Sequence, residues 1–164
     1  ASKEFFDRST RVLEEADSGF RPQEGTMTVA QQVAHTAQSV EWFIEGVSRK
    51  EGFDLNFEEQ AKALEAVTSL AAARKMLDAA YARAVEFLRA RSAEEMARPL
   101  PPGPMFGGQP LSEIVWAMVE HSAHHRGARR TAGRHRHRHH RRAVLPDAAL
   151  APAGAGGTVR PPWR

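Results

Sequence analysis

The sequence predicts an all-α protein, a four-helix bundle followed by a biased C-terminal tail. Apolar residues recur at steps of three and four through four segments, the period of an amphipathic helix, and no segment keeps the alternation of a strand. Proline and glycine cluster between those segments rather than within them. A chain of 164 residues, 41% hydrophobic, is long enough for one domain with a real core and short for two.

The first segment, SKEFFDRSTRVLEEA, sets Phe5, Phe6, Val12 and Leu13 near helical spacing, and Gly19 with Pro22 ends it. The second, TVAQQVAHTAQSVEWFIEGV, begins with Thr28 three residues before Gln31, a capping-box pattern. Its stripe of Val29, Val33, Ala37, Val40, Ile44 and Val47 predicts an amphipathic helix of about five turns at 3.6 residues each. A loop, KEGFDLNF, leads into a short helix over 58–66. SLAAARKMLDAAYARAVEFLRAR follows, with Leu70, Leu77, Tyr81, Ala84 and Leu88 on one side. Ser92 and Glu95 form another capping box for a brief helical turn. The stretch RPLPPGPMFGGQP cannot be helical and has room for a small hairpin. Ser112 opens the last helix, SEIVWAMVEHSAHHRG.

Beyond that helix the composition changes. Residues 129–164 hold nine arginines, no lysine and one acid, Asp147, a net +8. The whole-chain charge of +3 therefore leaves −5 for residues 1–128. The basicity belongs to the tail, so the body gives no charge argument for nucleic acid as a partner. Alanine, arginine, glycine, proline and histidine make up 28 of the tail's 36 residues, which predicts disorder. These residues, without lysine, are also what an out-of-frame reading of a GC-rich gene yields. The stripe of the last helix, continued, would meet Arg129, Ala132 and Arg136. A frameshifted C-terminus is favoured over an evolved basic tail. The domain is accordingly read as 1–128, with 129–164 adding nothing to its core.

Seven of the eight histidines lie between His121 and Arg142, and they divide into two groups. Ile114, Met118, His121 and His125 continue one helical stripe, so His121 and His125 share a face one turn apart. An isolated H-x-x-x-H is more economically a buried polar pair bonded to backbone, water or a carboxylate. His35 changes that balance. It is the one other histidine in the body, beside Gln31, Gln32 and Ser39 at the edge of the second segment's stripe. Three imidazoles on two facing helices suit a divalent ion with a coordination position left open. His124 lies about 100° away round the helix and should not share the ligand face. Glu120 is equally suited to solvent or to holding a ligand imidazole, and Arg126 to clamping an anion or complementing the helix end. Of the tail, His135, His137, His139 and His140 offer only weak binding by a flexible tract.

AQQVAHTAQSVEWF followed downstream by EHSAHHRGA resembles the DinB-like (DinB/YfiT-like) family of bacterial four-helix-bundle metalloproteins. The resemblance covers roughly residues 1–128. His35 matches the family's histidine on the second helix, His121 and His125 its H-x-x-x-H pair, and Arg126 with Gly127 the R-G that follows. Ala128 stands where the family usually has glutamine.

The resemblance implies a metal-dependent enzyme, a thiol-dependent S-transferase or isomerase that uses a low-molecular-weight thiol and acts on a small electrophile. Its ligands would be His35, His121 and His125. The alternative is a non-catalytic stress-response bundle in which the ion only joins two helices. Imidazole suits Zn, Ni, Fe and Mn alike, and the residues do not choose among them. The chain has no cysteine, so any reacting thiol comes from a co-substrate. A homodimer is expected, because half a last helix completes a core weakly. No membrane span and no signal peptide are read, which makes the cytoplasm the expected compartment.

Overall fold

The computed structural model describes residues 2–125, and within them the fold is all-helical. The elements are α1 (Ser2–Thr10), a 3₁₀ turn (Glu15–Asp17), α2 (Val29–Ser48), α3 (Phe57–Glu65), α4 (Leu70–Arg89), α5 (Ala93–Ala97) and α6 (113–125). The long helices α2 and α4 pack together along their length, and α1 and α6 complete the bundle around them. Arg126, Gly127, Ala128 and the whole of 129–164, with its four histidines, lie outside the described residues.

The predicted stripes form the core. From α2 come Val29, Val33, Ala37, Val40 and Ile44, all buried, while Val47 packs against the edge. Leu70, Ala73, Leu77, Ala80 and Ala84 of α4 face them. Phe6 seals one side at 1% exposure, and Ile114 and Met118 enter from α6. Thr28 caps α2 as its spacing predicts, with its side chain accepting from the Gln31 backbone while Gln31 returns a bond to Thr28 N–H. Ser92 and Glu95 cap α5 in the same reciprocal way.

The first helix is shorter than its pattern predicts. It stops at Thr10, and Val12, assigned to the apolar side, is 63% exposed. The backbone beyond Thr10 has other partners. Arg74 of α4 donates to the carbonyls of Thr10 and Leu13. Ser18 Oγ and a Glu15 carboxylate oxygen accept the backbone N–H groups of Leu70 and Ala71. Continuing the helix would remove these acceptors from the start of α4, where the first backbone donors have no partner within their own helix.

In the Pro/Gly stretch the anticipated hairpin is reduced to one antiparallel bridge, Pro99 with Pro110. Around it Leu100 N–H donates to Gln109 O at 2.8 Å and Leu111 N–H to Arg98 O at 2.9 Å. Gly107 makes the fold-back possible, since a Cβ there would lie 2.5 Å from the backbone of Gly103. This closed loop delivers the chain to α6 and lays Phe106 against the bundle.

Candidate metal centre

The site lies between α2 and α6, where imidazoles succeed the aliphatic stripe of α6 and border that of α2. His35 is the seventh residue of α2, flanked by the buried Ala34 and Thr36 and therefore fixed by packing. On α6, Ile114 and Met118 are buried in the core and His121 and His125 continue their line. Ring centroids are 5.3 Å apart for His35 and His121, 4.7 Å for His35 and His125, and 4.5 Å for His121 and His125. One potential ligand nitrogen from each ring lies within 4.8 Å of the other two. All three residues are half-buried, so the cluster lies at the margin of the core.

The structure thus brings His35, His121 and His125 together and leaves the other candidates out. His124 is exposed, and its ring meets His125 edge-on rather than joining the cluster. Glu120 is also exposed. Among the described residues this is the one group of three or more histidine or acidic side chains close enough to share an ion.

Burial holds His121 below the ordinary histidine value of 6.5, and the neighbouring His35 and His124 push it the same way. Its neutral, lone-pair-bearing form is therefore favoured near neutral pH. Three imidazoles, brought together without a carboxylate in the group, form a donor set suited to a first-row divalent cation.

Two features of the site were not assigned from the sequence. Ser39, one turn beyond His35, lies 2.8 Å from Nε2 of His121 and donates to the His35 carbonyl at 2.8 Å. Its i+4 spacing from His35 was the available signal. The second is an aromatic wall. Phe43 stands 6.4 Å from the His121 ring, Phe106 5.9 Å from Phe43, and Phe53 5.7 Å from Phe106. Trp42 closes the row 4.6 Å from Phe53. Phe106 reaches it with a φ of 53°, in the left-handed region that non-glycine residues rarely occupy. Gly46 leaves space for it, since a Cβ there would lie 2.2 Å from the Phe53 ring. These contacts join residues far apart in sequence, and no local pattern announces them.

A helical bundle with a three-histidine cluster between two of its helices defines the class of protein. The sequence profile of the DinB superfamily matches residues 6–128. The chain belongs to that superfamily, and all three clustered histidines lie within the matched span. No curated protein and no solved structure matches it.

Proposed function

We propose that this chain is a metal-dependent enzyme in which His35, His121 and His125 hold one divalent cation and a low-molecular-weight thiol attacks a small electrophile. The observation that carries this reading is the convergence of three imidazoles from two helices, with no fourth histidine or acidic side chain placed to share the ion with them among the described residues. Three protein ligands leave a coordination position for a reactant, whereas structural sites are usually closed by four. When bound there, a divalent cation lowers the pKa of an adjacent thiol.

The chain's own residues do the rest. The imidazoles fix the cation at the half-buried end of the core, and Ser39 holds the His121 ring. Phe43 and Phe106 form an apolar wall beside His121, which limits water and suits the carbon skeleton of an electrophile. No cysteine is present to act as nucleophile, so the sulfur belongs to the second substrate. The reading includes a homodimer, supported by Val85 of α4 and Trp116 and Val119 of α6, which are large apolar residues exposed in one chain.

The test is metal analysis of protein purified without an affinity tag, followed by turnover of a model electrophile with glutathione, bacillithiol or mycothiol. One tightly held ion per chain and thiol-dependent turnover lost on its removal is the expected result. A stoichiometric ion with a closed four-ligand shell and no turnover would assign the ion to holding α2 and α6 together instead.

A further inference from the structure

The contact between Ser39 and His121 carries more information than its length. A serine hydroxyl has one proton to give. Ser39 Oγ makes two short contacts, 2.8 Å to the His35 carbonyl and 2.8 Å to His121 Nε2. The carbonyl has no proton and can only accept. For both bonds to form, the hydroxyl proton points to the carbonyl, and Nε2 of His121 must carry the proton that bonds to Oγ. In the neutral ring the lone pair is then on Nδ1.

We propose that Ser39 is a positioning residue of the metal centre, accepting Nε2–H of His121 and so presenting Nδ1 of that ring to the ion. The proposal rests on the metal reading above and adds which atom of His121 binds and what holds it. The resulting chain runs from the His121 N–H, through the Ser39 hydroxyl, to the backbone carbonyl of His35. It ties a ligand ring on α6 to the residue that supplies the ligand on α2. Histidine ligands ordinarily donate their second N–H to an oxygen acceptor, which fixes both tautomer and ring orientation. Here that acceptor is a side chain on the opposite helix, so correct docking of α6 on α2 and correct presentation of the ligand atom are one event.

The tautomer can be read without any metal. Protein with ¹⁵N-labelled histidine is examined metal-free at about pH 8, above the ordinary histidine range, by long-range ¹H–¹⁵N correlation. The His121 ring is assigned by comparison with His121→Ala. The expected wild-type result is the Nε2–H tautomer. Ser39→Ala should lose that bias and bind zinc about 10- to 100-fold more weakly, the usual cost of removing such a support. Ser39→Thr should restore both, because a helical threonine hydroxyl bonds the same upstream carbonyl. Circular dichroism of each variant confirms that the helices persist. An Nδ1–H tautomer in the wild type, or a Ser39→Ala variant with unchanged tautomer and zinc affinity, would overturn the proposal. A wild type with the expected tautomer but no tight zinc would overturn the metal centre itself, so the two failures are distinguishable.

Discussion

One face of α6 contains two different regions. Its first half carries Ile114 and Met118, at 0% and 6% exposure, packed in the aliphatic core. Its second half, one turn further on, carries His121 and His125, half-buried and facing His35. The helical period is the same across both halves. The change is in what the buried positions cost and offer. Aliphatic burial stabilises by excluding water from apolar area, whereas imidazoles at the same positions give up hydration and require partners in return. The first half makes the fold, and the second uses it. The same division appears on α2, where His35 and Ser39 border a stripe of buried aliphatic residues.

That comparison is most severely tested by damaging the aliphatic half alone. Ile114→Ala removes a fully buried side chain from the first half of α6, at 0% exposure, and should destabilise the protein by about 2–5 kcal/mol. Chemical denaturation measures the loss. Folded Ile114→Ala should still bind one ion per chain. Loss of the ion from a folded variant would show that the two halves are not separable.

The reverse test adds the ion. Binding to the folded state alone stabilises by about 2.7 kcal/mol at a free concentration 100 times Kd. Saturating zinc should therefore raise the Tm of the wild type and leave that of His125→Ala unchanged. An equal rise in both would place the stabilising ion elsewhere.

The smallest effect is one of pH. His121 is held below 6.5 in the folded state by burial and by its histidine neighbours. In the unfolded chain it regains an ordinary value, so below that value the unfolded state binds more protons. Stability is therefore complete above about pH 6.5 and is lost as pH falls toward the lowered folded value. Metal-free His121→Gln should show a shallower decline in Tm between about pH 7 and 5 than the wild type. An identical slope would mean that His121 does not titrate differently on folding.

Much of the fold was legible in the sequence because its causes are local. The stripes of α2 and α4, the caps at Thr28 and Ser92, and the common face of Ile114, Met118, His121 and His125 are matters of helical period and spacing. The end of α1 was not legible. It depends on Arg74, Leu70 and Ala71 taking partners from residues 10–18, a competition decided across the bundle. The candidate site divides the same way. His121 and His125 could be paired by spacing alone, and His35 was singled out as the remaining histidine on an amphipathic face. The Ser39 bond and the wall of Phe43, Phe53 and Phe106 depend on how α6 and the 98–110 loop dock, which periodicity does not encode.

The central claim is that His35, His121 and His125, drawn from two helices, form one ion site. It is tested most directly by metal content after exhaustive dialysis, measured on the full chain and its variants. His35→Ala, His121→Ala and His125→Ala should each fall from one tightly held ion to none, because two remaining imidazoles are too few to retain it. His124→Ala should keep the ion, since its ring is exposed outside the cluster. Replacing His135, His137, His139 and His140 together should remove only weak, additional binding. A quadruple variant that loses the tight ion while His35→Ala retains it would contradict the account.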